Sequence, residues 1–406
     1  MFKNHTRCRV CGAEPLTPYL DLGLMPLSNN LLTSPDEVAP RYPLKVMFCT
    51  SCGLSQLSVV IDPETLFGHY LYRSSIAQGY RDHCREMALT LKDKYDLNED
   101  SFHIDIAGND GALLAEFKKV LGHKTLSVDP AKNLTKICED QGIRVYQTFW
   151  GMSAAKHLLA TSWPLPKLIT ATNVFAHVDD VRDFLEAIKA VLRPDGVAVI
   201  EFPYLIDFID KNEFDTVYFE HLSYFSVYPL RILCSKVGLI LQDITHHDIH
   251  GGSVRCYITR SGAWTPAVDE YVNREIATGY CKDLKIYKDW AREIALVLAN
   301  FLGLMRDLEK FKVWGFAASA KGNTLLNAAG ITVKQIPFIV DQTPEKLGKY
   351  SPGTGILIVD MAALIATQPD FLIILSWNFL DEIIGKCKAA GYTGKFINPL
   401  TCEISV

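Results

Sequence analysis

Apolar positions along the chain change period several times, and the changes divide it into segments. From about residue 77 to 95 they recur at helical spacing and predict a lead-in helix. From residue 102 short apolar runs alternate with helical stretches. The runs predict strands at 102–106, 125–128, 145–146, 168–171 and 197–201, with helices at 112–121 and 134–141. Such βαβ alternation builds a parallel, doubly wound sheet. Arg193-Pro194-Asp195-Gly196 is a turn delivering the chain into the 197–201 strand. Residues 202–265 read as an irregular insertion followed by an antiparallel segment with a strand at 256–259. The stretch from about 267 to 310 is helical, and 283–310 is long enough for a strut between domains. A second α/β unit follows, with strands at 312–315, 336–340, 355–358 and 371–375 and a helix at 322–329. Two nucleotide-type folds in one chain imply two ligands, or one ligand site and one scaffold.

Length and composition narrow the class. At 406 residues the chain is two to three times the ~100–200 of an ordinary domain. The expected units are 1–65, 66–265 and 266–406. With 49% hydrophobic and 21% charged residues the composition is that of a folded, water-soluble protein. A net charge of −5 gives no basic footprint for nucleic acid. No apolar stretch approaches the ~20 residues of a spanning helix, so no membrane partner is expected. The N-terminus carries no signal-peptide apolar region, which points to the cytosol, and a monomer is expected.

Four of the 11 cysteines fall in the first 52 residues, as Cys8-Arg9-Val10-Cys11-Gly12 and Cys49-Thr50-Ser51-Cys52-Gly53. Two CxxC pairs, each followed by glycine, suit two tight turns presenting thiolates to one tetrahedral ion. Redox disulfides are disfavoured by the cytosolic setting. With all four positions thiolate no place is left for water. The expectation is therefore a structural Zn2+ that folds roughly 60 residues lacking a core of their own.

Asp105-Ile106-Ala107-Gly108-Asn109-Asp110-Gly111 follows a predicted strand and opens a helix, placing backbone N–H groups at the carboxyl edge of the sheet. It is neither a GxGxxG fingerprint nor a lysine-bearing phosphate loop. Asp129-Pro130 ends the second strand, where a carboxylate accepts ribose hydroxyls. Acid at both strand ends disfavours a phosphate ligand and suits the cationic S-adenosylmethionine. Asn173 ends the fourth strand facing that donor, and His177, one turn on, faces the same cleft.

The densest group of ionisable and aromatic residues, Tyr218-Phe219-Glu220-His221-Leu222-Ser223-Tyr224-Phe225, lies beyond the fifth strand. Adjacent Glu220 and His221 suggest a base oriented by a neighbouring carboxylate, and Tyr218 adds a donor. Methylating a hydroxyl needs only loss of an acidic proton as attack proceeds. Methylating carbon needs a carbanion equivalent, hence a base, an enolate stabiliser and a dry cleft. In the second α/β unit, Ser319 and Lys321 at a strand-to-helix turn are placed to cradle a diphosphate.

In order, the two CxxCG pairs, Tyr70-Leu71-Tyr72-Arg73-Ser74-Ser75, the 105–111 turn, Asn173-Val174-Phe175-Ala176-His177, the 218–225 run, His250-Gly251-Gly252-Ser253 and Trp314 to Asn323 resemble the nucleotide-sugar C-methyltransferases. That group includes the C-3′-methyltransferase of tetronitrose biosynthesis. The resemblance covers essentially the whole chain. It implies a zinc-binding module, a central Rossmann-like S-adenosylmethionine domain and a C-terminal Rossmann-like domain. A nucleotide-diphosphate 4-keto sugar would lie in the cleft between domains. By position, His221 would remove the proton alpha to the ketone, with Tyr218, Glu220, His177 and Tyr72 around it. Asp105, Ala107, Gly108, Asp110, Gly111, Asp129, Pro130 and Asn173 would hold the donor, and Ser319, Lys321 and Asn323 the sugar nucleotide. Ala107 stands where the family usually has glycine, and Phe219 where a histidine is common. An O- or N-methyltransferase of a small metabolite is the alternative within enzymes. A non-catalytic nucleotide-sugar binding module is the alternative outside them, and it would not need a base.

Overall fold

The computed structural model describes residues 2–122 and 124–406. The central sheet has seven strands. Its parallel part runs, from one edge, Arg144–Tyr146, Thr125–Val128, His103–Ile106, Leu168–Thr172 and Val197–Pro203. The antiparallel Ser253–Thr259 then pairs with Val197–Pro203, and Ile240–His247 closes the far edge. All five parallel strands are predicted within two residues, four of them because a strand buried on both faces writes a continuous apolar run. Ile240–His247 is the missed strand: its exposed and half-buried edge positions break that run.

The segment taken as an irregular insertion is more ordered than expected. It carries helices Leu205–Asp210 and Val227–Val237 and a two-residue strand, Ser223–Tyr224. That short strand leaves the central sheet and completes another. Ser223 pairs with Gln56 and Tyr224 with Ser55, so the sheet of the cysteine-rich segment runs Ser223–Tyr224, Ser55–Leu57, Arg41–Phe48, Thr17–Pro26. No local sequence signal marks it, because two residues are too few to show a period.

The helix Leu284–Asp307 buries Tyr287, Trp290, Ile294, Phe301 and Met305 along one stripe. It acts as more than a strut: Tyr287 meets Phe48 at 4.5 Å and Tyr19 at 5.0 Å between ring centroids, covering the sheet of the cysteine-rich segment. One hydrophobic core runs from Cys8 through the central sheet to Ile397, so the roughly 60 N-terminal residues borrow their core from their neighbours.

The last sheet runs Leu357–Val359, Phe338–Val340, Val313–Phe316, Phe371–Ile374, Lys395–Ile397, Ile404–Ser405. The order reverses at Val313–Phe316, and ligands of open α/β sheets bind at such a switch point. Its first turn repeats that of the central sheet. Ala107 N donates to Val128 O at 2.8 Å and Ala317 N to Val340 O at 2.7 Å, and both alanines are left-handed, at φ +56° and +73°.

Candidate active site and zinc centre

The four cysteines of the N-terminal segment sit in two matching turns. Gly12 N donates to Cys8 O at 2.9 Å and Gly53 N to Cys49 O at 2.8 Å, with both glycines left-handed at φ +78° and +76°. Cys8 Sγ lies 3.4 Å from Cys52 Sγ and Cys11 Sγ 3.5 Å from Cys49 Sγ, and all four sulfurs fall within 4.8 Å of one another. A Zn–S bond of about 2.3 Å gives a tetrahedron with edges of about 3.8 Å, so the set fits one zinc ion with no water position.

A cavity of about 730 Å³ lies where the three sheets meet. One wall is the carboxyl edge of the central sheet. Asp105, Ala107, Gly108, Asp129, Pro130 and Asn173 line it. Gly108 is required by close packing: a Cβ there would lie 2.5 Å from Ser127 Oγ and 3.2 Å from Asp105 Oδ2. Asp129 accepts from Asn109 N at 2.9 Å and Ala131 N at 2.8 Å, one bond per oxygen, so each oxygen keeps a lone pair for a hydroxyl. Burial raises the Asp129 carboxyl and pushes Asp105 up to about 7, even though Thr170 Oγ1 donates to Asp105 at 2.6 Å.

Asp110 and Gly111 are not brought to this wall. Asp110 is fully buried and accepts from Ser75 Oγ at 2.6 Å, tying the lead-in segment to the loop, while Gly111 packs under Ile143.

The facing wall brings together His221, His177, Tyr218, Glu220 and Tyr72. His221 stacks on His177 with centroids 5.0 Å apart and meets Tyr218 tilted at 4.1 Å, and His177 in turn stacks on Phe67 at 5.5 Å. His221 Nδ1 lies 2.8 Å from Thr216 O. A carbonyl only accepts, so Nδ1 carries the proton and Nε2 holds the free lone pair. Burial, with His177 nearby, drives the His221 pKa well down, and burial takes His177 to about 4. Both rings are neutral at pH 7.

The expected Glu220–His221 pairing is corrected. Consecutive residues turn apart here. Glu220 instead accepts from Asn29 Nδ2 at 2.7 Å and Tyr70 OH at 3.2 Å, and Thr216 orients the imidazole. Asn29 sits in a polar stretch without any motif and Thr216 contributes only a backbone oxygen, so neither was readable. Tyr70 stands in the same six-residue motif as Tyr72 and was readable.

The third wall belongs to the C-terminal sheet. Ser319 and Lys321 line the cavity, but Ser319 Oγ also caps the helix Ala320–Ala328 by accepting from Gly322 N at 3.1 Å. Lys321 Nζ pairs with Glu213 at 3.4 Å and lies 5.0 Å from the Trp377 ring centre. Asn323 lies behind the wall, donating to Ser351 Oγ and Pro352 O at 2.9 Å. Asp341, which no motif marked, copies Asp129: it accepts from Ala318 N and Thr343 N, each at 2.8 Å. Elsewhere, His83, Glu86 and His247 have ligand-type atoms within 4.8 Å of one another. Arg255 Nη2, 3.1 Å from Glu86 and 3.3 Å from His83, already supplies that cluster's cation.

The strand-end acids, the reversed strand beside the sheet edge and the cavity between two Rossmann-like sheets are those of a methyltransferase. The chain matches the family models of a zinc binding domain at residues 8–67, a methyltransferase domain at 76–243 and a C-methyltransferase C-terminal domain at 248–401. It is 33% identical over 401 residues to C-methyltransferase NovU of Streptomyces niveus, covering 97% of this chain and 95% of that one. The chain belongs to this C-methyltransferase family and is an S-adenosylmethionine-dependent enzyme with a zinc-binding module. Among solved structures it is similar to magnesium protoporphyrin IX methyltransferase of Synechocystis PCC 6803 with bound SAM, at 9% identity and TM-score 0.34 over 45% of this chain and 80% of that one. An S-adenosylmethionine-dependent methyltransferase of Clostridium acetobutylicum is similar at 11% identity and TM-score 0.35 over 45% and 92%. Among the described residues no helix is long and apolar enough to cross a membrane.

Two outcomes follow from this geometry. Cys49→Ser is expected to cost the chain about one zinc by metal analysis and to lower its Tm; a folded wild type without zinc would refute the ligand set. Burial pushes the Glu220 carboxyl from 4.5 up to about 7. Between those values the unfolded chain releases its proton first, so stability contributed by this group falls as pH rises from about 4.5 to 7. Glu220→Gln should therefore raise Tm at pH 8 by roughly 2–5 °C and leave it nearly unchanged at pH 4.5. Equal shifts at both pH values in thermal unfolding would contradict this.

Proposed function

We propose that the protein transfers a methyl group to the carbon beside the ketone, at C3, of a nucleotide-linked 4-keto-deoxyhexose, acting as a cytosolic monomer. The observation that carries this reading is the His221 imidazole, neutral, buried and held by Thr216 O so that Nε2 keeps an unprotonated lone pair. An oxygen or nitrogen acceptor would not require such a base. A C–H beside a carbonyl does, because its proton must leave before carbon can attack.

His221 takes the alpha proton. Tyr218, packed beside it at 4.1 Å, donates to the developing enolate oxygen. Burial pushes the Glu220 carboxyl up to about 7, toward its neutral form, which limits its repulsion of that oxygen. His177 and Tyr72 line the acceptor side. Asp105, Ala107, Gly108, Asp129, Pro130 and Asn173 hold S-adenosylmethionine, with Asp129 on the ribose hydroxyls, and Asp110 and Gly111 fix the loop from behind. When bound, the donor supplies an electrophilic methyl group. Ser319 and Lys321 face the diphosphate, for which Lys321 exchanges its Glu213 partner, and Asn323 fixes the neighbouring loop. The zinc is structural.

A panel of nucleotide-linked 4-keto-6-deoxyhexoses, incubated in D2O with labelled donor and followed by mass spectrometry, tests the reading. Wild type should methylate carbon and exchange one alpha proton. His221→Ala should lose at least about 10²-fold in both while still binding donor. Full-rate exchange in His221→Ala would remove His221 as the base, and methylation on oxygen would replace the reading with O-transfer.

A further inference from the structure

Arg9 stands between the zinc ligands Cys8 and Cys11, and its side chain is fully buried with its guanidinium on Leu57, Leu222 and Asp179. Burying a guanidinium is costly unless acceptors surround it. Here the acceptors come from three segments. Arg9 Nη1 donates to Leu57 O and to Leu222 O, each at 3.2 Å, and Nε donates to Asp179 Oδ1 at 3.2 Å. Leu222 follows His221 directly. Asp179 lies two residues beyond His177, and the next residue, Asp180, caps the helix Val181–Val191. One side chain thus grips the two loops whose imidazoles stack at 5.0 Å. Its own backbone is fixed as well: Arg9 N donates to Gln56 Oε1 at 2.9 Å, and Gln56 Nε2 donates to Arg7 O at 2.9 Å. Gln56 is also the residue that pairs with Ser223.

We propose that Arg9 is a positioning residue that sets the register of the His221 loop against the His177 loop, so that the zinc knuckle holds the acceptor side of the active site in shape. The planar fork is what the task needs. A lysine could meet Asp179 but could not span that carboxylate and two carbonyls from different segments. Asp179 has another cationic neighbour, Lys3 at 2.7 Å, and His5 lies 3.4 Å away. Lys3 therefore still neutralises Asp179 when Arg9 is lost, and what disappears is the bridge from Asp179 to Leu222 and Leu57.

The catalytic meaning of this link rests on the assignment of His221 as base, but its test does not require turnover. Arg9→Gln and Arg9→Lys, with zinc content, Tm and S-adenosylhomocysteine binding measured on each, are compared by imidazole 15N NMR of the full chain. In wild type the His221 signals should report an Nδ1–H tautomer. In zinc-loaded Arg9→Gln the His221 and His177 signals should shift or broaden into mixed tautomers while S-adenosylhomocysteine binding stays within about threefold, and Arg9→Lys should lie between. With an active keto-sugar substrate, kcat should fall roughly 10²-fold with little change in KM, the scale of a 1 Å misplacement. Unchanged His221 and His177 signals in a zinc-loaded, folded Arg9→Gln would overturn the proposal. So would loss of zinc and fold in both variants, which would make Arg9 a purely structural residue. A wild type inactive on every keto sugar would count against the proposed substrate and not against the NMR result.

Discussion

Two residues of the loop that follows His221 complete a sheet whose other three strands belong to the zinc-binding segment. That strand pairing is the contact on which the acceptor side depends. Backbone hydrogen bonds have one register, and a one-residue slip would turn every side chain to the opposite face. Pairing Ser223 with Gln56 therefore determines where residues 218–221 emerge. Leu57 N also donates to Leu222 O at 2.9 Å, so the carbonyl beside the base is gripped from two directions. A metal that would otherwise only replace a missing hydrophobic core becomes part of how the loop is aimed.

The cysteine pairs, the two α/β units and the strand-end acids were readable because each is a local signal: a spacing, a period, or a residue type at a turn. Asp105 and Asp129 were found in that way, and both line the cavity. Asp110 was selected by the same rule and lies behind the wall, because motif position does not say which way a side chain turns. Glu220 shows the limit from the other side. Its adjacency to His221 suggested a pair, whereas its partners are Asn29 and Tyr70, 191 and 150 residues away in the chain. Contacts of that separation depend on how sheets meet, which no window of sequence contains. Arg9 and Thr216 escaped notice for the same reason, the latter because it acts through a backbone oxygen.

The two α/β units share more than their strand order. Each opens with an alanine in the left-handed region, where a Cβ costs about 1–2 kcal/mol, and each ends its second strand with an aspartate that ties down two backbone N–H groups. They differ in charge. The cavity wall of the central unit carries Asp105 and Asp129, whereas that of the C-terminal unit sets Lys321 and Lys346 beside Asp341. With a chain charge of −5, the positive potential on this wall comes from these two lysines and not from the overall field.

No single unit makes the whole cavity, and one apolar core runs through the units that supply its walls. A pocket built in this way exists only while every part of the chain is in place. Local opening of any one sheet dissolves the binding surface along with it, so whatever the pocket holds acts as a keystone, adding its binding free energy to the integrity of the whole molecule and not to one lobe.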